Sequence, residues 1–452
     1  MTLWALCGAC FAVDASALLC PTAKGEKKTE QKKAAALAKS LKEINKGIDI
    51  QDKSGQTALM VAAALDNRLA VAYLIALGAD TMRTDKSGKT ALNYAISAPV
   101  RELLSICKES NATVLHEDKQ KQLRELGLED PAVRMEHVKS LVQSNKLKEL
   151  ANVLKLGVEL GAESTPALHS FFTDITPEML ALLVRRGYNL NTPDETSKKV
   201  ALPGNVNAAK LALALELQPA DSDENNLAVA ILQNDVKAVK ALLKGKPDLA
   251  KSTGIGALCP MSLAQSGDMV HVLHEAGAEL NDTMVDNSLQ IRAVGNIIGR
   301  QSAGAREAEV IQACIECGWK EASDGGTLLI LCTEGSADAR TAQCLLQAGA
   351  KLGSTELHYA AARGKTATVK TLLEHKADPN ALDQNGESPL LFLLQNSAKL
   401  NPSGAGLPET IKALIKGGAN PKLKTKDGQN ALQLAKSLGR DDLAKIIKSA
   451  AK

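Results

Sequence analysis

The chain has 452 residues, beyond the size at which one compact core keeps growing, so several domains or one elongated array are expected. Apolar residues make up 45% of it and aromatic ones only 2%; the apolar share is mostly Ala and Leu, which excludes a thick aromatic core and favours thin layers of helix on helix. With 54 basic against 51 acidic residues the net charge is +3, too weak a field for a nucleic-acid-binding domain, and no nucleic acid partner is expected.

The chain opens on "MTLWALCGACFAV", an apolar run too short to span a bilayer, followed by Ala15-Ser16-Ala17, the small-x-small pattern of a signal-peptidase site. Residues 1–20 read as a signal peptide or hydrophobic leader. An exported protein of bacterial type, periplasmic or extracellular, is expected if that leader works, and a cytoplasmic one otherwise. The run has no Lys or Arg before it, and Cys10 or Cys20 would be the lipid acceptor of a lipoprotein. Cleavage, lipidation and a plain apolar extension all stay open. Residues 21–33 follow as a charged linker, where "KGEKKTEQKK" interleaves Lys with Glu and Gln. No later stretch approaches 18 uninterrupted apolar residues, so no membrane span is expected after the leader.

Residues 34–116 carry a repeat. "DKSGQTALM" (Asp52–Met60) returns as "DKSGKTALN" (Asp85–Asn93) one 33-residue period later, the mark of stacked units that each cover a neighbour's apolar face. Asp52 and Gly55 suit a type I turn, and the Thr57 hydroxyl suits the start of a short helix with Leu59, Val61, Ala62 and Ala63 inward. A second helix, "LAVAYLIALGAD", buries Val71, Leu74 and Ile75 and places Gly78 where a left-handed cap is wanted. Pro99 breaks the next unit. The charged stretch "HEDKQKQLRELGLEDP" (His116–Pro131) is read as a bridging helix or a joint, with a bend or boundary there.

Through residues 117–322 the opening phrase decays while the ending of the second helix persists, at "LKLGVEL", "VRRGYNL", "LLKGKPDL", "LHEAGAEL" and "IECGWK"; "LLQAGAKL" continues the series past 322. Residues 323–452 recover the full pattern in "TELHYAAARGKTATVKTLLEHKADPN" (Thr355–Asn380), "DQNGESPLLFLL" (Asp383–Leu394) and "KDGQNALQLAKSLGRDDLAKII" (Lys426–Ile447). The insertion "NSAKLNPSGAGLPET" reads as a surface loop. These units resemble the ankyrin repeat. The resemblance implies an all-α fold: an ankyrin-repeat solenoid of about eleven helix-turn-helix units behind an N-terminal leader.

Chemistry-bearing residues are sparse. Cys314 and Cys317 form a C-x-x-C, but they align with Leu345 and Ala348 of the next unit, so structural thiols are expected ahead of a disulfide or zinc pair. His358 of "TELH" is, by the resemblance, a residue that bonds backbone across neighbouring units, and His169 of "TPALH" likewise. The other histidines make no catalytic spacing with Ser, Cys or Asp, although a spatial grouping stays open. "DGG" (Asp324–Gly326) lacks the Lys-Ser/Thr of a phosphate cradle. Tyr94, Tyr359 and Phe392 share one slot of the first helix, which points to core between units. No catalytic residue, cofactor site or metal site is expected, and the chain is not read as an enzyme.

The resemblance also implies a concave groove of turn tips and first-helix faces. Here those positions are Lys53, Ser54, Gln56, Lys86, Ser87, Lys89, Arg363, Gln384, Asn385, Glu387, Lys426 and Gln429. The expected function is a non-enzymatic, monomeric scaffold that binds another protein, one with an acidic patch where the tips are cationic. The alternative places a separate effector or enzymatic activity in the middle region, 117–322.

Overall fold

The computed structural model describes residues 47–110, 116–156, 175–191, 206–219, 221–251, 259–280, 305–320, 326–333, 338–401 and 404–450, with isolated positions between them. The leader, the charged linker, Gly157, His169 and Asp324 lie outside the described residues. The described chain is all-α apart from a two-residue antiparallel pairing, Thr283–Met284 with Gln290–Ile291, and one bridge between Lys424 and Asn430. It divides into two compact units, one running mainly to Gln233 and the other mainly from Asn234.

The first unit contains α1 (Ala58–Ala64), α2 (Arg68–Ala76), α3 (Ala91–Tyr94), α4 (Ala98–Ser110), α5 (His116–Glu125), α6 (Pro131–Gln143), α7 (Leu147–Lys155), α8 (Pro177–Arg185), α9 (Val206–Ala214) and α10 (Asp223–Leu232). The Thr57 hydroxyl accepts from the Met60 amide and starts α1. Gly78, at φ +93°, stops α2: its amide bonds Ile75 O and that of Ala79 bonds Leu74 O, which satisfies carbonyls the helix leaves open. The same closure recurs at Gly187, Gly277, Gly318, Gly349 and Gly418. Gly245 departs from the expected pattern. It stays inside its helix, because Pro247 holds the intervening Lys246 extended (φ −145°, ψ 69°) and a left-handed cap cannot form.

Packing in this unit goes beyond nearest neighbours. α1 lies on α3, and α2 lies beside α4, as stacked units require; α2 also packs along α8 and touches α9. Ala70 through Ala76 are all buried in α2, and Pro177 through Leu183 are all buried in α8. A helix apolar on every face needs cover on every face, and here a helix more than 100 residues away supplies it. Polar contacts fix both ends of the pair. Arg68 donates to Glu178 Oε1 from Nε (2.9 Å) and Nη2 (2.8 Å), and Arg185 Nη1 donates to Ile75 O (3.0 Å) and Ala79 O (3.1 Å).

The second unit contains α11 (Val236–Gly245), α12 (Gly267–Glu275), α13 (Ala305–Glu316), α14 (Thr327–Thr333), α15 (Ala339–Gln347), α16 (Glu356–Ala362), α17 (Thr366–Glu374), α18 (Pro389–Leu400), α19 (Leu407–Lys416), α20 (Ala431–Ser437) and α21 (Asp441–Ala450). Its helices form two rows. First helices α14, α16, α18 and α20 follow one another, and second helices α11, α12, α13, α15, α17, α19 and α21 run alongside. Ahead of α12 the first-helix slot holds only a 3-10 turn, Pro260–Leu263. That unit keeps its second helix and reduces its first to a turn, which accounts for the loss of its opening phrase while the ending persists. The insertion between the α18 and α19 cores is less of a loop than expected: α18 continues through Asn396–Leu400, α19 begins at Leu407, and Ala405 O approaches so closely that a Cβ on Gly364 would sit 2.1 Å from it.

The turn between first and second helices recurs as a left-handed residue: Asp66 (φ 53°), Asn145 (φ 52°), Asn234 (φ 56°), Gly364 (φ 68°) and Gly439 (φ 70°). Asp and Asn tolerate this conformation better than other side chains. Their oxygens also reach the following repeat. Asp66 Oδ1 accepts from Ser97 N at 3.1 Å, Thr176 Oγ1 lies 3.5 Å from Asn145 Oδ1, and Ser266 Oγ donates to Asn234 Oδ1 at 2.8 Å. These bridges span 31 or 32 residues and carry the repeat register through the middle of the chain.

Candidate protein-interaction surface

Four turn tips share one hydrogen-bonding scheme. At Asp52, Asp85, Asp383 and Thr425 the residue's own amide donates to the carbonyl four positions on, and its carbonyl accepts from the Gly three positions on. Three of the four complete the turn with a carboxylate. Asp52 Oδ1 accepts from Ser54 N (2.8 Å) and Gln56 N (2.9 Å), Asp85 Oδ1 from Ser87 N (2.8 Å) and Lys89 N (2.9 Å), and Asp383 Oδ1 from Asn385 N (2.9 Å) and Glu387 N (2.8 Å). Thr425 does the same through Oγ1, which accepts from Gln429 N at 3.3 Å. Lys426 and Gln429 therefore hold the places of Lys53 and Gln56, with Thr425 standing where the other fingers have Asp.

Each tip is thus a rigid finger whose outward positions are free to vary. Lys53, Ser54, Lys86, Ser87 and Lys89 are exposed and Gln56 is half-buried on the two fingers of the first unit. In the second unit Gln384, Asn385 and Lys426 are exposed, while Glu387 and Gln429 are half-buried. Burial, aided by the Asp383 charge, pushes the Glu387 carboxyl up. Arg363 differs from the rest. Its Nη1 donates to Cys332 O and Thr333 O, both at 3.0 Å, so its head is spent on the end of α14.

Of the expected architectural residues His358 and Phe392 are buried, whereas Tyr94 and Tyr359 are only half-buried, because each keeps an edge at the surface. The Nε2–H of buried His358 donates to Glu387 O at 2.9 Å, tying α16 to the next finger. Phe392 stacks edge-on against both His358 and Tyr359, with centroids 5.6 and 5.2 Å away. The Tyr94 hydroxyl donates to Asp85 Oδ2, and Lys89 Nζ lies 5.8 Å over the Tyr94 ring.

Cys314 is fully buried, as expected of a core thiol, and Cys317 is half-buried; neither forms a disulfide. The structure adds a contact that spacing did not reveal: Cys317 Sγ lies 3.3 Å from His271 Nδ1, and His271 Nε2 is 3.7 Å from Glu316 Oε2. Partial burial and the charges of Glu316 and Glu275 push the thiol up, favouring the protonated form. In the first unit a groove of about 330 Å³ is lined by Arg68, Lys146, Glu149, Thr176 and Glu178 among others. Four of its charges pair internally, Arg68 with Glu178 and Lys146 with Glu149 at 3.2 Å; Glu102 and Lys148 also line it. Among the described residues no three His, Cys, Asp or Glu gather in a way that would hold a metal ion, and no helix is long and apolar enough to cross a membrane.

Comparison with known proteins agrees with this geometry. The family description "Ankyrin repeats (3 copies)" matches residues 29–115, and "Ankyrin repeats (many copies)" matches residues 357–399. Cyclin-dependent kinase 4 inhibitor B of Rattus norvegicus is 30% identical over 118 residues, which cover 21% of this chain and 91% of the relative. The chain belongs to the ankyrin-repeat family, whose members are in general protein-interaction modules. The E3 ubiquitin-protein ligase KEG of Arabidopsis thaliana is 22% identical over 217 residues, 47% of this chain. The chain spans only 10% of that ligase. The human ASB11 ankyrin repeat domain superposes with a TM-score of 0.39 at 19% identity, over 50% of this chain and 96% of that domain.

Proposed function

We propose that the chain is a non-enzymatic scaffold that holds another protein against its turn tips. The observation that carries this reading is the division of labour within each finger. The Asp or Thr at its start and the Gly three residues later are committed to the turn, as are the Ser54 and Ser87 hydroxyls that donate to Asp52 and Asp85, whereas the side chains of Lys53, Lys86, Gln384, Asn385 and Lys426 stand exposed with no role in the core. A surface whose composition is uncoupled from stability is free to specialise in recognition. The short supply of aromatic residues means that such recognition leans on polar and aliphatic contacts. The apolar leader adds the proposal that the scaffold works outside the cytoplasm, which sequencing the amino terminus of the mature protein would test.

The test of the binding reading is site-specific photocrosslinking in the cells that make the protein. A crosslinker at Gln384 or Asn385 should give discrete adducts with another protein, while one at Lys370 or Lys412, exposed on second helices, should give none. Adducts from the second-helix sites alone would overturn the assignment.

A further inference from the structure

Between residues 47 and 97 the sequence balances five carboxylates, Asp49, Asp52, Asp66, Asp80 and Asp85, against five cations, Lys53, Arg68, Arg83, Lys86 and Lys89. The structure separates them. Every one of the five carboxylates accepts a backbone amide: Asp49 from Asp80 N, Asp52 from Ser54 N, Asp66 from Ser97 N, Asp80 from Met82 N and Asp85 from Ser87 N, at 2.8–3.1 Å. Arg68 is spent on Glu178, and Arg83 lies 3.9 Å from Asp80. Lys53, Lys86 and Lys89 are exposed on the fingers and have no carboxylate partner among the described residues. The carboxylates are fixed beside the backbone as turn and cap acceptors, Asp52 exposed and the other four half-buried, whereas the three finger lysines project into solvent where a partner can reach them.

That edge is also held in place. Gln51 Nε2 donates to Gly55 O at 2.7 Å on its own finger and to Thr84 O at 2.8 Å on the next, and Lys86 N donates to Ser54 O at 3.3 Å. A Cβ on Gly55 would stand 2.8 Å from Lys86 N, so the two fingers touch backbone to backbone. Little ordering remains to be done when a ligand arrives.

We infer that the paired fingers at Asp52–Gly55 and Asp85–Gly88 dock an acidic protein segment, rich in Asp and Glu, across Lys53, Lys86 and Lys89. This deepens the proposed function and rests on it. An acidic segment fits better than a nucleic acid, because the nearby aromatic ring is occupied. Tyr94 donates its hydroxyl to Asp85 and carries Lys89 over its face, leaving no open platform for a base.

The full-length chain can be titrated by fluorescence anisotropy with a labelled Asp/Glu/Gly peptide, its Asn/Gln/Gly counterpart and a single-stranded oligonucleotide. The acidic peptide should bind, weaken with added salt, and lose about tenfold or more in affinity in the K53E/K86E/K89E variant. The amide peptide should not bind. A reversal of equal charge at exposed second-helix lysines, K370E/K412E/K416E, should leave affinity within about twofold. A triple Lys→Gln variant keeps the inference testable if charge reversal perturbs folding, with a smaller loss expected. Equal losses in the finger and control variants, full retention after finger reversal, or tighter binding of the oligonucleotide would each overturn the inference. If binding is indifferent to the finger lysines while Gln384 and Asn385 still crosslink, this inference alone falls; if those crosslinks are also absent, the proposed function falls with it.

Discussion

Arg68→Ala is expected to be the costlier of two truncations at one ion pair, and the structure says by how much. The Glu178 side chain is 6% exposed and that of Arg68 27% exposed, and both guanidinium bonds land on Glu178 Oε1. Removing Arg68 strands a nearly dry carboxylate between α2 and α8, at the low end of the range for breaking buried pairs because some water can enter, or about 3 kcal/mol. Removing Glu178 leaves a guanidinium that can rehydrate, at a cost of about 1–2 kcal/mol. Amide hydrogen exchange read by mass spectrometry on peptides covering Arg68–Ala76 and Pro177–Arg185 should report the difference locally. Exchange should accelerate roughly a hundredfold for Arg68→Ala and about tenfold for Glu178→Ala. Arg83→Ala, which loses a half-exposed pair at 3.9 Å, should change exchange by less than about threefold. If Arg68→Ala were no worse than Arg83→Ala, the pair would not fasten the two helices, and the account of α8 as an obligatory cover for α2 would be wrong.

Three further outcomes are expected. Lys376 occupies the left-handed capping slot (φ 68°) that glycine fills in neighbouring repeats, so Lys376→Gly should stabilise the end of α17 by roughly 1 kcal/mol, visible as a higher urea midpoint. Asn380 bridges two repeats, with Nδ2 donating to Gly418 O at 2.9 Å and Oδ1 accepting from Asn420 N at 2.7 Å; Asn380→Ala should cost about 1–2 kcal/mol and speed exchange at Asn420. The Tyr94 hydroxyl first, and the Lys89 amide next, hold the Asp85 carboxyl well below the usual carboxylate range. A group depressed on folding contributes stability above its unfolded pKa of about 4 and loses that contribution as pH falls towards its folded value. Tyr94→Phe should therefore raise the Asp85 pKa in a carboxyl NMR titration and make stability less steeply dependent on pH below about 4.

The parts of this fold that were legible in the sequence are those in which one residue type answers a local backbone demand. Asp52 and Gly55 announce a finger because only a short acceptor and a residue at ease at φ +81° close that turn, and Gly78 announces a helix end for the same reason. Asp66, Asn145 and Asn234 make an equally local demand, but a polar residue in a turn attracts no notice until its φ is known. The contact between Cys317 and His271 was out of reach because 46 residues separate the partners.

The back-to-back packing of α2 on α8 shows a deeper limit. "RLAVAYLIA" declares that it will be buried on all sides, and "PEMLALLVR" declares nearly the same, yet apolar surfaces are non-directional and neither specifies the other. The choice falls to the few polar groups at the ends, Arg68 with Glu178 and Arg185 with the α2 carbonyls, which fix register and orientation where apolar contact alone would permit sliding. The same logic governs the fingers. Carboxylates that accept backbone amides are fixed beside the turn while the lysines between them project, so the charge a partner meets is set by where hydrogen bonds hold each group as well as by composition.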